Sequence, residues 1–272
     1  MSFPAIGRVV LIGAGKMGLA LARGWIAAGL PPANLVLVDP QPLPVAQAFA
    51  EDNGVLLLPN VIGLEANVMV LAVKPQIFGA MMAEAKPSVR PQTLVISIAA
   101  GISIGAIVKG LGTSRVIRTM PNTPAQIGKG VTGAVAAGGV SDGDRGTATA
   151  LLGAAGKLVW FDAEQRLDAV TAVSGSGPAY VFHLVEALAA AGIAEGLQPE
   201  QAMTLARQTV IGAAALLEAD PAPASVLRQN VTSPKGTTEA ALNVLMASDG
   251  LAALLGRAVA AAARRSEELG RG

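Results

Sequence analysis

The feature that most limits the fold is a series of short, continuously apolar runs in the first 160 residues. They do not alternate apolar with polar residues, as expected for parallel strands that helices cover on both faces. Stretches with helical periodicity separate them, such as residues 16–28 and 42–53. This order predicts an α/β fold with a doubly wound, mostly parallel sheet. The predicted strands are RVVLIG (8–13), LVLVD (35–39), VMVLAV (68–73), TLVISIA (93–99) and RVIRTM (115–120), with VTGAVAAG (131–138) and KLVWF (157–161) as edge strands.

After about residue 165 the pattern changes to Ala- and Leu-rich helical segments. Gly196 follows the first of them, Pro199 opens the second and Pro221 ends it. The sequence therefore predicts a Rossmann-like dinucleotide-binding domain at 1–162 and an all-α domain at 163–272. Because these helices are apolar over wide arcs, they need more than one partner surface, and we expect an interlocked oligomer.

Composition excludes several functional classes. The 20 basic and 19 acidic residues nearly balance and only 3% are aromatic, so we expect no nucleic-acid partner. The absence of cysteine removes disulfides, thiolate nucleophiles and zinc–thiolate sites, and we predict no metal site and a cytoplasmic protein. No apolar run approaches the roughly 20 residues of a membrane span. The start, MSFPAIGRVV, has no signal-peptide cleavage pattern, so we expect no membrane association.

The segment VVLIGAGKMG (9–18) places G-x-G-x-x-G between a strand and a helix. In a dinucleotide site, Gly13 allows the tight turn, Gly15 lets the backbone approach a pyrophosphate, and Gly18 permits close helix–strand packing. The helix N terminus supplies amide donors for the phosphates. The alternative is a tight βα turn without a ligand. The predicted cofactor contacts of this loop are Gly13, Ala14, Gly15, Lys16, Met17 and Gly18.

Asp39 ends the second predicted strand. An acid at this point can accept a hydrogen bond from the adenosine ribose 2′-OH and repel a 2′-phosphate, which favours NADH over NADPH. The nearby loop offers no Arg for a 2′-phosphate. The alternative is that Asp39 only caps the turn before Pro40.

Three further segments lie where predicted strands end, next to the expected ligand crevice. They are AVKPQ (72–76), SIAAGI (97–102) and MPNTP (120–124). Lys74 is either a cofactor contact or a surface charge, and the Asn122 amide is either presented rigidly between two prolines or part of an ordinary turn. The predicted cofactor contacts are Ala72, Val73, Lys74, Pro75, Ala99, Ala100, Met120 and Asn122.

Two segments of the helical half have open interpretations. SGSGPAY (174–180) interrupts a helix that restarts at Pro178, either to bring backbone near a nicotinamide or as an interhelical turn. NVTSPKGTT (230–238) is typical of a helix start, with Ser233 as N-cap and Lys235 in the first turn. His183 and Tyr180 are expected to be packing residues rather than catalysts.

These motifs together resemble the pyrroline-5-carboxylate reductase family. The resemblance is carried, in the family's order and spacing, by GAGKMG (13–18), AVKPQ (72–76), SIAAGI (97–102), MPNTP (120–124), DAVTAVSGSGPAY (168–180) and VTSPKGTTEAAL (231–242). It implies a Rossmann domain joined to a helical dimerisation domain, assembled as a homodimer and often as a homodecamer of five dimers. The family commonly has Gly or Asn where this chain has Lys235. If this position needs φ > 0, Lys would be strained there, and the alternative is the first helical turn described above.

The resemblance also implies the chemistry. A hydride passes from NADPH or NADH to the C=N carbon of 1-pyrroline-5-carboxylate, giving L-proline. A cyclic imine is basic enough to need no strong general acid, and by analogy the Thr238 hydroxyl serves the ring nitrogen. The substrate carboxylate would meet a helix N terminus. The implied substrate-binding residues are Ser233, Lys235, Gly236, Thr237 and Thr238.

Two other functions remain open on sequence grounds. A β-hydroxyacid dehydrogenase also joins a Rossmann domain to helices, but it usually needs an acid–base residue, often Lys, on the helical domain. Residues 165–230 contain no Lys, and Lys235 is the only one after Lys157. A non-catalytic dinucleotide sensor would keep GAGKMG without a reason to retain TSPKGTT.

Overall fold

The structure, a computed structural model, describes residues 6–271, so residues 1–5 of the predicted N-terminal segment lie outside the described residues. Its first part is built on one eight-stranded sheet in the order β3-β2-β1-β4-β5-β6-β7-β8. The first six strands are parallel, β7 is antiparallel to β6, and β8 is parallel to β7. The strands are β1 (Val9–Ile12), β2 (Leu35–Val38), β3 (Leu56–Leu58), β4 (Val68–Leu71), β5 (Leu94–Ser97), β6 (Val116–Met120), β7 (Gly130–Ala136) and β8 (Gly156–Trp160).

Helices follow the strands and then continue alone through the second half of the chain. They are α1 (Lys16–Ala27), α2 (Pro44–Asn53), α3 (Pro75–Ala85), α4 (Ile104–Leu111), α5 (Asp142–Gly153), α6 (Arg166–Val170), α7 (Gly177–Ala194), α8 (Pro199–Ala219), α9 (Ala224–Asn230), α10 (Thr237–Leu245) and α11 (Leu251–Arg271). The predicted fold class is confirmed.

The apolar runs form strands because both faces of the sheet are covered. Every residue of β1, β2, β4 and β5 is buried, as continuous apolar strands require. One face packs against a cluster around Trp25, whose indole N–H donates to the Leu151 carbonyl at 2.8 Å. The other face packs against a cluster that includes Phe78 and Ile107. Two cores on one sheet fix the carboxyl ends of β1 and β4 side by side, where the chain reverses its direction of winding.

By packing, the chain forms two compact units. One runs to Gly175 and takes in the end of α11 from Ala262, and the other is Ser176–Ala261. Within the described residues, the regular elements of the second unit are all helices. Its helices α7 and α8 pack against each other through Ala189, Ala202 and Ala206. The domain boundary at 162/163 stays a prediction.

The sequence analysis expected no segment long and apolar enough to span a membrane, and judged by length and composition this expectation was wrong. Within the described residues, one helical run, Arg166–Ala194, has 29 residues and is apolar enough to do so. The run is continuous because the glycines of SGSG do not break it. Thr171–Gly175 instead form a π-helical turn between α6 and α7.

Candidate active site

The Gly-rich loop has the geometry of a dinucleotide-binding turn. Gly13 follows β1 with φ +99°, a conformation that L side chains rarely adopt, and a Cβ there would lie 2.7 Å from the Ala72 carbonyl oxygen. A Cβ built on Gly15 would meet no other heavy atom within 4 Å among the described residues. Gly15 is also the N-cap of α1, so the first amides of this helix adjoin free space.

Asp39 binds the Gly-rich loop directly. Its Oδ2 accepts a hydrogen bond from the Ala14 N–H at 2.9 Å, and its Oδ1 accepts one from the Gln41 N–H at 3.0 Å. The second bond is the turn cap that sequence left as the alternative. The first was not foreseen: it fixes a negative charge beside the loop that would carry the pyrophosphate.

The other predicted cofactor segments lie at the same carboxyl edge of the sheet. Ala72 and Val73 follow β4, and Lys74 is the exposed N-cap of α3, with Pro75 as its first residue. Ala99 is buried, whereas Ala100 is exposed in the turn after β5. The structure thus brings these segments to the edge that holds the Gly-rich loop.

Asn122 does not present its amide to open space. It is 8% exposed, and its side chain bonds the Ser174 carbonyl and the Val131 N–H. The turn that contains it follows β6 and continues into a short 3₁₀ helix, Thr123–Ile127.

Sequence reasoning missed a partly buried ion pair beside the turn after β5. Arg118 of β6 donates to Glu164 Oε1 at 2.7 Å, and the same oxygen accepts from the Ile104 N–H at 2.7 Å. The pair borders a cavity of about 470 Å³ whose lining includes Gly101 and Asp168. A signal was present, because an arginine within the apolar run RVIRTM needs a partner once the strand is buried.

The predicted substrate residues lie together at the start of α10, but the local structure differs from the prediction. The helix begins at Thr237 with Gly236 as N-cap, not at Pro234 with Ser233 as N-cap. Gly236 packs closely against Ser233, since a Cβ built on Gly236 would lie 3.0 Å from the Ser233 carbonyl oxygen. Thr238 is partly buried in the first turn.

Lys235 is the reason for the later start. It has φ +60°, the one non-glycine residue with positive φ in the described part of the chain. A residue in the left-handed region cannot belong to the first turn of a right-handed helix. Its N–H donates to Glu239 Oε2 at 2.7 Å, so a carboxylate from within α10 holds the turn in place.

His183 is not a packing residue within the chain. Its side chain is 80% exposed and pairs with Glu186 at 3.0 Å on the next turn of α7. Tyr180 is partly buried in the same helix.

Comparison with known proteins decides the family. Residues 164–269 match the family model described as pyrroline-5-carboxylate reductase dimerisation, and residues 8–101 match NADP oxidoreductase, coenzyme F420-dependent. The chain is 42% identical over 267 residues to a pyrroline-5-carboxylate reductase of Pseudomonas aeruginosa, with 96% of each chain covered. The chain belongs to the pyrroline-5-carboxylate reductase family.

Solved structures of the pyrroline-5-carboxylate reductase family agree. A pyrroline-5-carboxylate reductase from Coxiella burnetii superposes with a TM-score of 0.89 at 36% identity, covering 97% of this chain and 98% of that one. A pyrroline carboxylate reductase from Plasmodium falciparum with NADP bound superposes with a TM-score of 0.80 at 29% identity, with the same coverage. The resemblance of the motifs is thereby confirmed.

Proposed function

We propose that this protein reduces 1-pyrroline-5-carboxylate to L-proline with NADPH or NADH, the last step of proline biosynthesis. The observation that carries the proposal is the family match along nearly the whole chain, which includes both the Gly-rich loop and TSPKGTT. The reaction adds a hydride to the C=N carbon and a proton to the ring nitrogen. NAD(P)H supplies the hydride, and the protein supplies binding, orientation and electrostatics.

The residues at the carboxyl edge of the sheet fit a dinucleotide. The space beside Gly15 is what a pyrophosphate at a helix N terminus requires, and the first amides of α1 donate to it. Ala72, Val73, Lys74 and Pro75 border the same crevice, as do Ala99 and Ala100. Met120 and Asn122 contribute through their main chain, because the Asn122 amide is engaged elsewhere. The SGSG segment approaches the nicotinamide.

The start of α10 holds the substrate. The first N–H groups of a helix have no intrahelical acceptor, so Thr237 and Thr238 offer amide donors to the carboxylate. The Gly236 N–H already donates to the Ser233 carbonyl at 3.0 Å, and this residue contributes by letting the substrate approach the backbone closely. Ser233 adds a hydroxyl, and Lys235 adds a positive charge on an exposed side chain. The Thr238 hydroxyl donates to the ring nitrogen and passes on a proton from water, which suffices because the imine is readily protonated.

A paired steady-state assay tests the function. Purified protein is mixed with pyrroline-5-carboxylate and either NADH or NADPH, and the absorbance of the reduced nicotinamide is followed. We expect its loss together with stoichiometric proline. Cofactor binding without turnover would favour a non-catalytic dinucleotide sensor, and turnover of 3-hydroxy acids instead would favour a β-hydroxyacid dehydrogenase.

Asp39 is proposed to favour NADH, because its carboxylate stands beside the Gly-rich loop and would repel a 2′-phosphate. Removing one negative charge with Asp39→Ser should shift the ratio of kcat/KM values toward NADPH by about tenfold, or about 1.4 kcal/mol. Asp52→Ser makes the same charge change at an exposed position in α2 and should leave the ratio unchanged. If the two variants behave alike, Asp39 is only a turn cap.

The assembly is proposed to be a homodimer through the segment that matches the dimerisation model, with a homodecamer as the larger assembly to be tested by light scattering. The protein is proposed to act in the cytoplasm, where biosynthetic reductases find reduced cofactor, and to have no nucleic-acid or membrane partner. Fractionation of cells that express the tagged chain tests the location.

A further inference from the structure

The Asn122 side chain joins two separate segments of the first unit. Its Nδ2 donates to the Ser174 carbonyl at 3.1 Å, and its Oδ1 accepts from the Val131 N–H at 2.9 Å. The residue is almost fully buried. A buried amide that is bonded at both ends is costly to leave unpaired, so these partners fix the side chain firmly.

Ser174 belongs to a segment that needs support. Thr171–Gly175 form a π-helical turn, a rare conformation that interrupts the α-helical hydrogen-bond pattern and is frequent at functional sites. Two bonds from within the same helical run stabilise it, from Thr171 Oγ1 to the Leu167 carbonyl at 2.7 Å and from Ser174 Oγ to the Val170 carbonyl at 2.9 Å. Asn122 adds a bond from a different element.

A second contact connects the same two segments. A Cβ built on Gly175 would lie 3.0 Å from the Met120 Cε, so the end of the π-helical turn lies directly against the end of β6. The turn after β6 therefore contacts Ser174 through a hydrogen bond from Asn122, and the last residue of β6, Met120, packs closely on Gly175. A larger residue at 175, or a lost amide at 122, would separate them.

We infer that Asn122 is a positioning residue, whose amide holds the π-helical turn against the turn after β6 instead of binding cofactor. This inference rests on the proposed function, in which SGSG approaches the nicotinamide. Its consequence is that Asn122 sets the geometry of hydride transfer while the affinity for the dinucleotide comes from the Gly-rich loop.

Asn122→Ala tests this division. We expect kcat to fall by about tenfold or more, because small displacements of groups that position substrates are costly. The dissociation constant of NADPH, from nicotinamide fluorescence, should change by less than about twofold, because the Gly-rich loop is intact. Amide hydrogen exchange at Ser174 and Gly175 should quicken by about tenfold as the π-helical turn loosens.

Thr93→Val is the matched control for general destabilisation. Thr93 is buried, and its hydroxyl donates to the Ala66 carbonyl at 2.8 Å near the amino end of β5. It should lower the melting temperature as Asn122→Ala does while kcat and exchange at Ser174 stay near wild type.

Asn122→Asp should make kcat depend on pH in a way that general destabilisation of the fold would not. A carboxylate at 122 can accept from Val131 but would repel the Ser174 carbonyl, whereas the protonated acid can donate to it. Burial raises the pKa of such a carboxyl. The kcat of Asn122→Asp relative to wild type should therefore rise as the pH falls from 8 to about 5.5.

Three results would overturn the inference. One is a tenfold weaker NADPH affinity of Asn122→Ala at unchanged kcat, since the amide would then contact the cofactor. Another is a kcat no lower than that of Thr93→Val, and the third is a flat pH dependence of Asn122→Asp. Absence of imine reduction by the wild-type protein would refute the proposed function instead, and the exchange and fluorescence measurements would still report on Asn122.

Discussion

At the scale of single residues, the proposed chemistry depends on one hydroxyl. Thr238→Val keeps the shape of the side chain and removes its donor. We expect kcat to fall by about tenfold to a hundredfold with KM for pyrroline-5-carboxylate changed little, because the bond to the ring nitrogen strengthens in the transition state while the carboxylate contacts remain. Steady-state kinetics at saturating cofactor measures both constants.

Thr238→Ser retains the hydroxyl and should recover most of the rate. Thr204→Val makes the same change at an exposed position of α8, where the hydroxyl donates to the Glu200 carbonyl of its own helix, and should leave kcat unchanged. A Thr238→Val enzyme with wild-type kcat would remove Thr238 from the mechanism.

At the scale of elements, the start of α10 carries strain that a glycine at position 235 would avoid. Lys235→Gly should raise the free energy of unfolding by about 0.5–1 kcal/mol, because Gly adopts φ +60° without the steric cost that Lys bears. Urea unfolding measures it. Lys235→Ala removes the charge but keeps the strain, so it should not stabilise.

The two variants also separate strain from charge. If Lys235 binds the substrate carboxylate, both should raise KM for pyrroline-5-carboxylate by a similar factor. If Lys235→Gly is no more stable than Lys235→Ala, the positive φ at position 235 does not lower the free energy of unfolding.

The elements that sequence predicted well are those whose signal is local. Continuous apolar runs located β1, β2, β4 and β5, since both faces of each are buried, and β6, whose residues are buried or partly buried. It missed β3, which has three residues, lies at the sheet edge and begins with the exposed Leu56. The start of α10 was misplaced because Ser-Pro-Lys has good first-turn propensity. The left-handed conformation of Lys235 depends instead on the hydrogen bond that its N–H donates to Glu239 Oε2.

The candidate site shows the same division. Sequence located the Gly-rich loop and the turns after the strands because spacing and strand ends are properties of the chain itself. It could not give the bond of Asp39 to Ala14, the bond of Asn122 to Ser174 or the Arg118–Glu164 pair, because those bonds join residues 25 to 52 positions apart. The sequence predicted a helix break where the structure has the π-helical turn. Two glycines weaken a helix, and the sequence does not show the hydrogen bond from Asn122 that supports this turn.

The capping of α5 gives an element-level pH dependence. Burial raises the pKa of Asp144, but hydrogen bonds from the Arg115 guanidinium and from the Ser141 backbone and hydroxyl outweigh it, so the pKa is lowered from its ordinary 3.8. The resulting stability is fully present above that value and is lost as the pH falls through the folded-state pKa. Asp144→Asn should cost about 2 kcal/mol at pH 7, and the difference from wild type should shrink below about pH 4.

Urea titrations at pH 7 and pH 3.5 measure the effect. Asp142→Asn, an exposed acid in the same first turn, should cost about 0.5 kcal/mol at most. Equal destabilisation by Asp144→Asn at both pH values would mean that the ionised carboxylate adds nothing.

At the scale of the whole molecule, the helical unit leaves more apolar surface uncovered than a monomer normally shows. Large apolar side chains on α7, α8 and α11 are exposed, among them Phe182 at 64%. The helical run that could span a membrane by composition lies entirely within the segment that matches the dimerisation model. A second copy of the chain therefore accounts for the same surface without a membrane.

If a second copy of the chain covers this apolar surface, a charged side chain on α7 should disrupt the dimer. Phe182→Glu should raise the dimer dissociation constant by about a hundredfold or more, since a charged group in a desolvated interface costs several kcal/mol. Light scattering across a dilution series measures it. Ile62→Glu makes the same change at a residue of the first unit that is 73% exposed, and should leave the mass unchanged. If Phe182→Glu kept the wild-type mass at every concentration, or if the wild-type protein were monomeric, this face of α7 would not be the interface, and the apolar run would need another partner.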